Sequence, residues 1–120
     1  MTAARFLPVY FERLDRGEDI LPMLAPDFTF ALLWSADGAA REFAGSYAEF
    51  EGYMAQREPD GQLHHINLSL REGNTEVVTG WTTKHGAPLA TFTFTVELDD
   101  PERARRLYAA RTEAFAGVPF

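Results

Sequence analysis

His64 is the residue of this chain best placed to move a proton. An imidazole titrates near neutrality, so it can both accept and donate a proton under ordinary conditions. The chain has three histidines and no cysteine, which excludes thiolate nucleophiles, disulfides and cysteine-based metal sites. His65 follows directly, and successive strand residues point to opposite faces, so the pair does not make a metal site on one surface. His85 falls in a turn, and no carboxylate has the spacing to complete a three-ligand set. No metal and no cofactor is expected. Around His64 the expected hydrogen-bonding groups are neutral: the hydroxyls of Thr79 and Thr83 and the indole of Trp81. The competing reading of His64 is a strand-end residue that is solvated at the rim or bonded for structural reasons.

These placements rest on a meander of three strands between His64 and Leu98, reading HHINLSLR, EVVTGWTTK and PLATFTFTVEL. Gly73-Asn74 and His85-Gly86 are two-residue turns in which glycine supplies the positive φ that tight hairpins need. Such turns set the register. Leu70 faces Val77, Leu68 faces Thr79 and Ile66 faces Trp81; across the second turn Trp81 faces Ala90, Thr79 faces Phe92 and Val77 faces Phe94. One face then carries His64, Ile66, Leu68, Leu70, Val77, Thr79, Trp81, Thr83, Phe92, Phe94 and Val96. The other carries His65, Asn67, Ser69, Arg71, Glu76, Thr82, Thr91, Thr93, Thr95 and Glu97. On this register the apolar face holds no carboxylate. A slip of one residue would exchange the faces of a strand.

Upstream, residues 3–16 suit an amphipathic helix. Leu7, Tyr10, Phe11 and Leu14 recur at helical spacing, Pro8 fits the first turn, and Gly17 is the stop. Residues 19–24 read as a short helical turn, 28–34 as a strand and 41–44 as a short second strand. Ser46-Tyr47-Ala48-Glu49 is a capping box opening a helix to about residue 57, with Tyr47, Phe50 and Met54 on its buried side. Pro59-Asp60-Gly61 closes that helix. The segment after Pro101 stays open: its Ala, Arg, Glu and Leu favour helix, whereas the preceding turn beside a sheet edge favours strand.

Residues 1–120 read as one domain, long enough to bury a real core. A net charge of −7 argues against nucleic acid and anionic membrane as partners. Arg103, Arg105, Arg106 and Arg111 cluster locally and read as a solvated face. No signal peptide is evident, and no apolar run approaches the ~20 residues of a membrane span. A cytoplasmic location is expected.

Three motifs carry a resemblance. They are Tyr10-x-x-x-Leu14-x-x-Gly17-Glu18-Asp19, Ile20-x-x-x-Leu24-Ala25-Pro26-Asp27-x-Thr29, and Phe43-Ala44-Gly45-Ser46 before an aromatic helix. In order and spacing the chain resembles the nuclear transport factor 2-like superfamily, and within it the SnoaL-like branch, over about residues 3–115. The resemblance implies an α+β fold in which a curved, mostly antiparallel sheet and N-terminal helices form a cone-shaped pocket. It implies that the last segment is a strand, and that the open sheet face, here the threonine-rich one, forms a homodimer. Ketosteroid isomerases of this fold use a tyrosine of the first helix as an oxyanion donor, and Tyr10 falls at that place. Their base, an aspartate five residues beyond the Asp-x-Thr aspartate, would fall on Leu32. Their second acid would fall among Thr91, Phe92 and Thr93. The isomerase mechanism is therefore disfavoured residue by residue.

In the implied pocket Phe30, Trp34, Tyr47, Phe50, Tyr53 and Phe92 are candidates to line a site for a flat apolar ligand, although at this spacing they also suit a core. Arg111 would point toward the mouth. Asp37 and Asp60 fall in loops. Three readings compete. The first is a proton-transfer enzyme (isomerase, cyclase or hydratase) on a small hydrophobic molecule, using Tyr10 and His64. The second is a non-catalytic binding or accessory dimer lacking the family's acids. The third is a protein-interaction module, which nothing but fold supports.

Overall fold

Among the described residues six strands form one sheet, in the order β2-β1-β6-β5-β4-β3. They are β1 (Leu24–Ala36), β2 (Ala39–Ser46), β3 (Gln62–Glu72), β4 (Thr75–Lys84), β5 (Ala87–Asp100) and β6 (Arg103–Glu113). Among the described residues only the β1–β6 ladder is parallel. Helix α1 (Phe6–Asp15) lies against β3 and β4, and helix α2 (Tyr47–Ala55) against β1 and β2. A 3₁₀ turn, Leu21–Met23, leads into β1. This computed structural model describes residues 1–57 and 60–113; Pro59 and Phe115, which entered the sequence reading, lie outside them.

The segment after Pro101 is a strand despite its helical propensities. β6 is hydrogen-bonded on both sides, by β5 and by β1, and two ladders outweigh a propensity of tenths of a kcal/mol per residue. α1 buries Leu7, Tyr10, Phe11 and Leu14, as the spacing requires, and Pro8 sits in its first turn. The capping box of Ser46 and Glu49 opens α2. Between α2 and β1, Phe50 meets both Phe28 and Phe30 edge-to-face, and those two rings are near-parallel to each other.

The expected sheet faces are only half right, because two bulges intervene. Both turns form as expected, with positive φ at Gly73, His85 and Gly86. Leu70 pairs with Val77 and Leu68 with Thr79. An extra residue, Asn67, then shifts the ladder, so that Ile66 meets Gly80 and His65 meets Trp81. On β5 the extra residue is Leu89, so Ala90 meets Thr82 and Thr91 meets Trp81. Each bulge inserts one residue and flips everything beyond it, bending the sheet as it does so. The inner face therefore carries His64, Glu76, Val78, Gly80, Thr82, Phe92, Phe94 and Val96. Thr79, Trp81 and Thr83, expected beside His64, lie on the outer face together with Leu68, Leu70 and Val77. Glu76 and Thr82, expected outside, are buried.

Gly80 shows how tight the first bulge is. A Cβ there would stand 1.9 Å from the His65 carbonyl oxygen and 2.8 Å from the Phe92 ring.

The inner face does hold a carboxylate, contrary to expectation. Glu76 is fully buried and accepts the backbone N–H groups of Arg5, Phe6 and Leu7, each at 2.9 Å. Helix N-termini expose such donors, and the next residue, Pro8, has none to satisfy. One side chain thus closes the start of α1, and its charge suits the positive end of the helix dipole.

Candidate active site between helix one and the sheet

A cavity of about 360 Å³ opens between the helices and the inner face. β4 and β5 supply Thr82, Ala90, Phe92 and Phe94, β1 supplies Leu32 and Trp34, and the helices supply Tyr10, Leu14, Phe50 and Tyr53. The volume falls within the range of small-molecule sites, and the walls are mainly apolar, with a few polar groups.

His64 lines this cavity, held by α1. Asp15, the last residue of the helix, accepts the backbone N–H of His64 at 2.8 Å through Oδ2 and its ring Nδ1–H at 2.6 Å through Oδ1. A carboxylate can only accept, so the proton belongs on Nδ1. Nε2 then carries the ring's open lone pair and has no partner among the described residues. The Phe11 ring lies flat against the imidazole, 4.6 Å away at 5°, and Phe92 and Phe94 meet it edge-on. The side chains of His64 and Asp15 are only 5% and 12% exposed, so rotamer, tautomer and position are all constrained.

Beside this pair, the Thr82 hydroxyl is buried without a hydrogen-bond partner among the described residues, directly across the ladder from His64. Tyr10 is 4% exposed and lines the same cavity, and burial pushes its phenol well above its ordinary value. Its hydroxyl is thus a neutral donor over the whole ordinary pH range.

The sequence-derived candidates divide clearly. Tyr10, His64, Trp34, Phe50, Tyr53, Phe92 and Arg111 meet around the cavity. Phe30 is core, packed on Phe28, Phe43 and Phe50, and Tyr47 packs against that core from outside. Thr79, Trp81 and Thr83 are turned away, and His65 stacks on Trp81 and bonds Thr83 on that outer side. Leu32, the residue on which the resemblance puts the isomerase base, lines the cavity as an apolar side chain.

Asp15, Thr82 and Arg57 were missed. Asp15 had a signal: an acid in the last turn of a helix opposes the dipole and needs a partner elsewhere. No group of three or more potential metal ligands is found among the described residues. No helix among them is long and apolar enough to cross a membrane.

No protein-family model matches the chain, and no curated protein matches it by sequence. Solved structures do match. A candidate ketosteroid isomerase from Kribbella flavida superposes with a TM-score of 0.64 at 17% identity, covering 96% of this chain and 81% of that one. A candidate polyketide cyclase from Sinorhizobium meliloti gives 0.59 at 17% identity, covering 87% and 92%. A nuclear transport factor 2-like protein of unknown function from Cytophaga hutchinsonii gives 0.58 at 14%, covering 92% of each chain. At such identities the likeness speaks for architecture. The sheet order, the two inner helices and these superpositions agree that the chain has the α+β nuclear transport factor 2-like fold, the fold of ketosteroid isomerase-like and polyketide cyclase-like structures.

Proposed function

We propose that the cavity is the site of a proton-transfer enzyme acting on a small hydrophobic molecule, with His64 as general base and acid. The observation that carries this is the Asp15–His64 pair, which orients a histidine whose second nitrogen is uncommitted inside an apolar cavity. Asp15 is a positioning residue: it fixes the tautomer and stabilises the imidazolium that forms when Nε2 takes a proton. Tyr10, a buried neutral donor, would hydrogen-bond an oxygen on which negative charge develops. The neighbours named as isomerase and cyclase candidates lend the reading support through their fold alone.

A generic substrate tests this without knowledge of the natural one. Nitrobenzisoxazole is flat and apolar, and abstraction of its single acidic ring proton opens it to a coloured phenolate. The protein should accelerate that opening above imidazole at equal concentration, and His64→Gln should remove the acceleration. An identical rate in the variant would sink the enzyme reading.

The second reading is a non-catalytic binding protein, favoured by Leu32 at the place of the isomerase base. It predicts that aromatic ligands bind without turnover.

The outer face is proposed as a homodimer interface. One cross-sheet row there runs Leu68, Thr79, Thr93, Ala110 and Leu33, and Leu33, Leu68 and Tyr108 are each about half exposed. Thr93→Arg, at its centre, should convert a dimer to a monomer in analytical ultracentrifugation; unchanged mass would remove this interface.

A further inference from the structure

Two guanidinium groups line the cavity, Arg57 just beyond α2 and Arg111 on β6. Both are half-buried. Arg111 donates through Nη2 to Gln62 Oε1 at 3.0 Å, and neither arginine makes an ion pair among the described residues. Among the described residues, the nearby acids Asp60 and Glu113 have other partners. Asp60 accepts the backbone and side-chain amides of Gln62 and pairs with Lys84 at 3.7 Å. Glu113 accepts the backbone N–H of Asp37 at 3.4 Å.

A cation withdrawn from water is costly unless an anion meets it. Arg111 registers that cost. Burial lowers its pKa, and the charge of Arg57 acts in the same direction, against the opposing influence of Tyr53 and Asp60. Most of the ten N–H donors that two guanidiniums present are therefore uncommitted, in a fork geometry that matches a carboxylate. The apolar surface adjoins them: Phe92 and Trp34 flank Arg111 in its cross-sheet row.

We propose that the ligand of this cavity is an amphipathic carboxylate, its carboxyl group held by Arg57 and Arg111 and its apolar body lying along Phe92 and Phe94 toward His64. The inference rests on reading the cavity as a ligand site and adds the ligand's charge. A site for an anion is compatible with a chain of net charge −7, because two arginines line this one cavity.

The test is isothermal titration calorimetry with naphthoate and its neutral counterpart naphthalenemethanol. Naphthoate should bind at least about tenfold more tightly, as expected for charge-assisted hydrogen bonds. Arg57→Met and Arg111→Met should each remove most of that preference, and Arg111→Lys should restore part of it. Thermal melts identify a variant that fails to fold, and Arg57→Met, outside the regular elements, keeps the test standing if Arg111→Met does. Equal binding of the two probes overturns the anion clamp and leaves the cavity reading intact. A naphthoate preference that survives both Met variants overturns the assignment to these arginines. Failure of both probes to bind overturns the clamp and the ligand-site reading together.

Discussion

The two ends of α1 meet carboxylates in opposite ways. At the N-terminus, the two oxygens of Glu76 accept three backbone amides, and Arg71 approaches at 3.5 Å. At the C-terminus, Asp15 accepts two N–H groups of one histidine, and the far nitrogen of that histidine remains uncommitted at a cavity. The first site is closed, because its acceptors are spent on the backbone. It also lies where the helix dipole favours negative charge, while Asp15 lies where the dipole opposes it. A buried polar group that ends in satisfied backbone is architecture. One that ends in an open lone pair beside apolar walls is where chemistry has room to occur.

The largest expected effect breaks the closed end. Glu76→Ala strands three helix amides in the core and should cost about 4 kcal/mol in urea denaturation. A loss below about 1 kcal/mol would mean that Glu76 does not anchor α1. Next is Gly80→Ala, which drives a methyl into the His65 carbonyl at the bulge that turns His64 inward. About 2 kcal/mol of destabilisation is expected, and an unchanged melting temperature would contradict the close approach of β3 and β4.

A pH series reaches the wall between the two ends. Burial raises the Tyr10 phenol above its unfolded value of 10.0, so the folded state resists its ionisation. The associated stability is whole below that value and falls as pH rises toward the folded one, by up to about 1.4 kcal/mol per pH unit. Tyr10→Phe should flatten this alkaline loss; an identical slope in the variant would show the phenol to be solvated. The smallest effect on stability belongs to the open end. Asp15→Asn should cost only about 1 kcal/mol, yet slow nitrobenzisoxazole opening at least tenfold or so. Should it destabilise as much as Glu76→Ala, the contrast between the ends collapses.

Much of the fold was legible locally. The glycine turns at Gly73 and Gly86, the Ser46–Glu49 capping box and the spacing of Leu7, Tyr10, Phe11 and Leu14 each report on neighbours within a few residues, and all appear as expected. The last strand was not legible in that way, since its own residues prefer helix and only the ladders to β1 and β5 override them. Recognition of the motif order supplied that strand. The site was legible in part. Tyr10 and His64 share one cavity, but the groups expected around His64 were the wrong ones.

By itself, then, the sequence determined most of the elements before Pro101, their turns, the absence of thiol chemistry and the histidine worth attention. The tertiary structure decided which side of each strand faces inward, because the bulges at Asn67 and Leu89 add a residue without any change of composition that would announce them. It also decided the partner of His64. Asp15 stands 49 residues away along the chain, and nothing in local spacing joins them. Their hydrogen bond exists only because α1, fastened by Glu76 at its other end, is laid across β3 and β4.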